Sequence, residues 1–170
     1  ELLEEVLNYR FDRGSLSGQS LGNLIMAALD DLTGGMDNAL GACANIFNIT
    51  GKVYAVTLDN IDLVAELDNG QTVLGESKIP KAVMETGSAI RRVNLYPERP
   101  RAYRKVIEVI EKADLVLVGP GSLYTSILPP LLVSGVKEAI IRSSATCIYI
   151  SNVMTQPGET HDYSVSDHVR

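Results

Sequence analysis

The sequence predicts an α/β fold with a parallel sheet wrapped by helices. Three observations carry that prediction. Apolar residues switch repeatedly between helical and strand spacing along the chain. A closing strand–helix–strand unit, Asp114–Val118, Ser134–Ser143 and Thr146–Ile150, is spaced for a right-handed crossover, which makes its two strands parallel. A Gly119-Pro120-Gly121 turn follows the first of those strands, as at the carboxyl edge of an open α/β sheet.

The other elements follow in order. Glu1–Asn8 places Leu2, Leu3, Val6 and Leu7 on one helical face. Gly14–Gly18 is a turn-rich joint. A helix through Leu21, Leu24, Ile25, Ala28, Leu29 and Leu32 should stop at Gly34-Gly35, and Asp37–Asn48 resumes the helical period through Leu40, Ala44 and Phe47. Lys52–Leu58, Ile61–Leu67 and Gln71–Gly75 read as short strands, the last two joined by an Asp68-Asn69-Gly70 hairpin turn. This hairpin is expected as an insertion or a sheet edge. Ile90–Tyr96 is a further strand, closed by Pro97 and Pro100. Arg101–Lys112 is an amphipathic helix with Val106, Val109 and Ile110 inward.

With 170 residues, 45% of them hydrophobic, the chain can bury one substantial core, so a single domain is expected. A net charge of −6 argues against nucleic-acid binding, which needs a basic footprint. The Arg91-Arg92 and Arg99–Lys105 groups read as solvated surface. No apolar run reaches membrane-spanning length and no signal peptide is visible, so the expectation is a cytoplasmic protein without a membrane partner. Cys43 and Cys147, far apart and without a second Cys or a His at ligand spacing, read as buried reduced thiols.

The chemistry concentrates in three polar loops. In Leu115–Ser126, Gly119 and Gly121 remove Cβ atoms where a ligand approaches the backbone, and Ser122 is placed to cap a following helix. Free N–H groups of that turn, backed by the helix dipole, suit a phosphate. Neither common nucleotide fingerprint is present: Tyr124 stands where a third Gly would be, and no Gly-Lys-Ser/Thr occurs. An ordinary strand-to-helix turn stays open as the alternative. The loop Asn152–Thr160 follows the next parallel strand, so it should lie on the same edge, beside Gly121. The third loop is Ser17–Asn23. Ser20, Asn23, Thr125, Asn152, Thr155 and Gln156 could bond a sugar or base, although capping and turn satisfaction would account for each taken singly.

Five ordered motifs carry a resemblance: Ser17–Leu24, Gly75–Pro80, Gly119–Ser126, Asn152–Thr160 and Ser164–Val169. Together they resemble the gluconeogenesis-factor branch of the CofD-like family, over essentially the whole chain. The resemblance implies a Rossmann-like three-layer αβα fold with a mostly parallel sheet and an inserted antiparallel hairpin. It implies a cytoplasmic factor for cell shape and wall integrity under gluconeogenic growth that binds UDP-sugars such as UDP-N-acetylglucosamine. The wider family's transferase branch moves 2-phospho-L-lactate from a guanosine diphosphate donor onto a deazaflavin. Gly18-Gln19-Ser20 departs from the usual Gly-His-Ser, and Glu159-Thr160-His161-Asp162-Tyr163 from Glu-Thr-Asp-Gly-Tyr. Family members also begin with a strand and a Gly-Gly-Gly-Thr-Gly loop and continue further, so the resemblance makes 1–170 a central, incomplete stretch of a CofD-like domain.

Two function classes follow: a nucleotide-sugar-binding regulator, self-association left open, or a transferase. The transferase would want Mg²⁺ held by converging carboxylates. Only Glu159, Asp162 and Asp167 lie near a ligand loop, while Asp114 is at the wrong end of its strand. His161 and His168, the only imidazoles, fit neither a zinc motif nor a nucleophile–base pair. No catalytic or metal-binding residue is therefore assigned.

Overall fold

A computed structural model describes residues 2–169. The chain divides into two compact units, Glu1–Ala55 and Val56–Arg170.

The N-terminal unit is helical: α1 (Leu2–Asn8), α2 (Leu21–Thr33) and α3 (Met36–Ile46). Ser20 begins α2 as its sequence type dictates, its hydroxyl accepting from Asn23 N–H at 3.2 Å. Gly34 ends it in the left-handed region at φ 74°, where a Cβ-free residue costs least. The inward face expected for α1 is largely exposed: Leu2 is 73% accessible, and Leu3 and Val6 are also exposed. Only Leu7 is half-buried, because α1 approaches α2 backbone-first; a Cβ on Gly22 would stand 3.0 Å from the Leu7 carbonyl oxygen. Cys43 is half-buried rather than enclosed.

The C-terminal unit holds the strands. β1 (Asp62–Leu67), β2 (Thr72–Leu74) and β3 (Ile90–Tyr96) form an antiparallel sheet in the order β2-β1-β3. The hairpin turn at Asp68–Gly70 closes as expected, with Gly70 N–H donating to the Leu67 carbonyl. The hairpin is not a lone insertion, since β3 extends it through six paired residues, including Glu66↔Arg92. An irregularity between Glu66 and Leu67 shifts the register, so Leu67 faces Ile90. That extra residue on β3 explains why its buried positions run Ile90, Val93, Leu95 instead of strictly alternating. These side chains, with Leu63, Ala65, Leu67 and Val73, form the core, together with Ile79 from α4 (Ile79–Thr86) and Val136 from α7 (Val136–Arg142).

The closing unit matches the expected crossover. β4 (Leu115–Val118) and β5 (Thr146–Tyr149) pair in parallel, Leu115 opposite Thr146 and Val118 opposite Tyr149, with α7 between them in sequence. Both carboxyl ends therefore share one edge. Leu115, Leu117 and Ile148, on one face of this pair, are exposed, and Cys147 is exposed too, not buried as its strand position suggested.

Three local expectations are corrected. Lys52–Leu58 is not a strand: it spans the boundary between the units, Val53 and Leu58 are exposed, and its backbone makes isolated bonds such as Tyr103 N–H to the Val56 carbonyl, not a ladder. The helix expected from Arg101 begins three residues later, as α5 (Arg104–Glu111), because Tyr103 is extended and Arg101 N–H is taken by the Asp59 carboxylate at 2.9 Å. Its half-buried stripe is Val106, Ile107 and Ile110, leaving Val109 exposed. Helix α4 is an addition to the expected elements, though Pro80 in its first turn and Gly87 just past its end are the punctuation such a short helix carries.

Candidate functional site

The turn after β4 and the loop after β5 meet at the shared carboxyl edge. Ile150 N–H donates to the Val118 carbonyl at 2.8 Å, carrying the parallel pairing one residue past the strands. Gly119 then turns away at φ 90°, against the neighbouring backbone: a Cβ there would lie 2.6 Å from the Ile150 carbonyl oxygen. Only glycine fits both the angle and the space. Gly121 is different, with ordinary contacts from 3.5 Å and no positive φ.

Asn152 locks the turn. Its Oδ1 accepts from Gly121 N–H at 3.1 Å and its Nδ2 donates to the Gly121 carbonyl at 2.9 Å, so one amide satisfies both polar groups of one residue. Glu159 makes a second lock. Its Oε2 accepts from Tyr124 N–H at 3.0 Å, and its Oε1 accepts from the Thr125 hydroxyl at 2.7 Å and Gln156 Nε2 at 3.4 Å. Glu159 is 5% exposed and has no ion-pair partner among the described residues. Thr160, more deeply buried, accepts Gln156 N–H on its hydroxyl and fixes the loop from behind. Gly158 packs tightly too, where a Cβ would come within 2.7 Å of the Pro80 carbonyl oxygen.

The segment after Gly121 is a wide turn. The Ser122 carbonyl accepts from both Ser126 N–H and Ile127 N–H at 2.9 Å, giving a π-helical turn over Leu123–Ile127 before α6 (Leu128–Leu132). Pro129 and Pro130 lack N–H groups, so no α-type ladder can run unbroken through this joint. Ser122 occupies the N-cap position but its side chain makes no cap hydrogen bond; of the turn's donors, Glu159 accepts Tyr124 N–H and the Thr125 hydroxyl. The N–H groups of Ser122 and Leu123 donate to no protein acceptor among the described residues.

An aromatic pair closes one side. Tyr124 and Tyr163 hydroxyls are 2.7 Å apart, and the Tyr163 ring meets His168 edge-on. Burial pushes the Tyr124 phenol well above its ordinary range, and the Tyr163 hydrogen bond adds to the shift. His168 Nδ1 lies 2.9 Å from the Ser164 carbonyl, which can only accept, so that nitrogen carries the proton. A cavity of about 430 Å³ opens against the same loop, between Val83, Met84 and Ala89 on one side and Pro157, His161 and Tyr163 on the other.

The residues singled out from the sequence thus separate by role. Gly119, Gly121, Thr125, Asn152 and Gln156 come together, bonded or packed within the two loops. Among the described residues the Ser122 and Thr155 side chains have no hydrogen-bond partner, Thr155 on an exposed tip with Val153 and Met154. Ser20 and Asn23 belong to the N-terminal unit, where Asn23 lines an otherwise largely apolar cavity of about 350 Å³ with Leu7 and Phe47. Glu159 reads from the sequence only as a metal carboxylate. Its signal as an internal partner is a lone acid set between small residues, opposite a turn rich in N–H donors. Among the described residues no three His, Cys, Asp or Glu side chains gather to hold a metal ion.

A family model described as 2-phospho-L-lactate transferase CofD matches residues 1–170. The chain belongs to the CofD family. Among its relatives, the gluconeogenesis factor of Bacillus subtilis is 46% identical over 170 residues, covering 99% of this chain and 52% of the relative. That of Halalkalibacterium halodurans matches with the same identity and coverage. A crystal structure of a UPF0052-family protein from Bacillus halodurans is similar with a TM-score of 0.88 at 46% identity, over 99% of this chain and 53% of its own. The chain spans about half the length of these CofD-family relatives. Among the described residues no helix is long and apolar enough to cross a membrane.

Proposed function

We propose that this CofD-family chain forms part of a cytoplasmic regulatory protein that binds a nucleotide sugar of the UDP-N-acetylglucosamine kind and acts in cell shape and wall integrity during gluconeogenic growth. One observation carries the binding half of the reading. The turn after β4 is held rigidly by Asn152 and Glu159, yet leaves the adjacent Ser122 and Leu123 N–H groups unclaimed at the carboxyl edge of a parallel strand pair. Fixed backbone donors of this kind suit a diphosphate, and they need no lysine. The hydroxyls of Ser122 and Thr155 are available to the same ligand, and the cavity beside the loop lies within the roughly 300–1,000 Å³ range of small-molecule sites. The regulatory half rests on relatives called gluconeogenesis factors.

The family description, 2-phospho-L-lactate transferase, favours a second reading, in which the resemblance implies a guanosine diphosphate donor and a deazaflavin acceptor. Calorimetric titration of the full-length protein with UDP-N-acetylglucosamine, alongside an assay for phospholactyl transfer, separates the two. Tight binding without turnover supports the regulator, and turnover supports the transferase. Absence of nucleotide-sugar binding refutes the proposal.

A further inference from the structure

We infer that the cavity between α4 and the loop after β5 is a slot for a nucleobase, with the sugar of a bound nucleotide left outside it. The inference rests on the nucleotide-sugar reading and deepens it, by assigning one part of that ligand to one place. The cavity, of about 430 Å³, has an aliphatic wall of Val83, Met84 and Ala89 and a second wall of Pro157, His161 and Tyr163. A flat aromatic ring has apolar faces and carries its polar atoms on its edge, so it packs between two such walls without stranding a polar group. A hexose presents hydroxyls all around its ring, and Val83, Met84, Ala89 and Pro157 offer them no side-chain partner.

Both walls are held in place by the protein itself. Gly158, which also lines the cavity, packs on Pro80 in the first turn of α4, where a Cβ would stand 2.7 Å from the Pro80 carbonyl oxygen. The loop therefore sits directly on the helix that carries the aliphatic wall. Tyr163 is fixed by its hydroxyl, 2.7 Å from that of Tyr124, and by edge-to-face contacts with the Tyr124 and His168 rings. A ring so fixed loses little freedom when another ring packs on it. Ser88, just past α4, lines the same cavity; its hydroxyl accepts Asn69 N–H at 3.0 Å, and among the described residues no acceptor takes its own proton. A ring carbonyl, which uracil and guanine both carry, can take it. Glu159 lines the cavity and holds Tyr124 N–H at 3.0 Å, so the slot adjoins the turn after β4.

Saturation-transfer NMR on the full-length protein tests the assignment, with UDP-N-acetylglucosamine, uridine, guanosine and N-acetylglucosamine 1-phosphate as ligands. In UDP-N-acetylglucosamine the uracil protons are expected to receive more saturation than the acetyl methyl. At least one nucleoside should bind by itself, and either base in the slot supports the inference. Ala89→Leu, which fills the slot from an exposed position, should weaken that nucleoside and UDP-N-acetylglucosamine roughly tenfold or more and leave N-acetylglucosamine 1-phosphate unaffected. Stronger saturation of the acetyl methyl, or unchanged UDP-N-acetylglucosamine affinity in an Ala89→Leu protein that melts cooperatively, would overturn the inference and leave the nucleotide-sugar reading standing. Should Ala89→Leu fail to fold, the wild-type saturation pattern decides alone. If a nucleoside binds, is weakened by Ala89→Leu, and UDP-N-acetylglucosamine does not bind, the slot stands and the nucleotide-sugar reading falls. Binding of none of the four ligands overturns both.

Discussion

The side-chain amide of Asn152 faces the peptide of Gly121 as a neighbouring strand would, accepting from its N–H at 3.1 Å and donating to its carbonyl at 2.9 Å. The parallel pairing of β4 and β5 is thereby continued by a side chain after the backbones part. Replacing Asn152 by Ala leaves a part-buried donor and acceptor without this partner and should cost about 1–3 kcal/mol of stability. Asn152→Asp keeps the acceptor but sets a carboxylate oxygen against the Gly121 carbonyl, so it should rescue little. Urea unfolding of the full-length variants checks both, and calorimetry should show nucleotide-sugar binding weakened by roughly the same amount in Asn152→Ala.

The two glycines of the turn should respond oppositely to alanine. At Gly119 the new Cβ meets the Ile150 carbonyl oxygen at 2.6 Å at a φ of 90°, and the strain should destabilise by about 1–3 kcal/mol or more. At Gly121 the nearest atom is 3.5 Å away, and Gly121→Ala should stay within about 0.5 kcal/mol of wild type. A bulky β-branched residue at Gly121 should instead abolish UDP-sugar binding while the protein still melts cooperatively. Equal melting losses for Gly119→Ala and Gly121→Ala would refute the assigned geometry.

Tyr124 predicts an alkaline signature. Its phenol is raised in the folded protein by burial and then by Tyr163, while the unfolded chain titrates near the ordinary value of about 10. For a raised group the stabilisation is complete below the unfolded pKa and is lost as pH climbs toward the folded one. Urea midpoints should therefore fall above about pH 10. In Tyr124→Phe the fall should be shallower, and parallel curves for the two proteins would count against the buried phenol pair.

Ile79 is fully buried in the core beneath the antiparallel sheet, although the helix that carries it is only eight residues long. Ile79→Ala should cost about 2–5 kcal/mol, the range for emptying a core site of this size. Chemical denaturation that shows less than about 1 kcal/mol would mean the pocket refills.

Much of this architecture was legible in the sequence because it is periodic or punctuated. The strand Ile90–Tyr96, the Asp68–Gly70 turn and the parallel pair around α7 follow from alternation, turn residues and crossover spacing. Lys52–Leu58 shows the limit: its apolar pattern suits a strand, but a strand also needs a partner, and that lies outside local sequence. Leu2, Leu3 and Val6 make the same point for a helix face. At the candidate site the Gly-Pro-Gly turn and its neighbouring loop were legible as a juxtaposition. What single positions could not reveal is that Asn152 and Thr125 spend their polar groups on the protein, because such bonds form across some thirty intervening residues.

Asn152 and Glu159 grip the turn largely by its peptide groups, through Gly121 N–H and C=O and Tyr124 N–H, and the Ser122 side chain takes no part in the grip. Upkeep of the loop's shape is thus separated from what position 122 shows to the outside. Exchanging the Ser122 hydroxyl for another polar or small group should leave intact the scaffold that presents it. The turn is a socket whose fitting at position 122 can be exchanged without reshaping the socket.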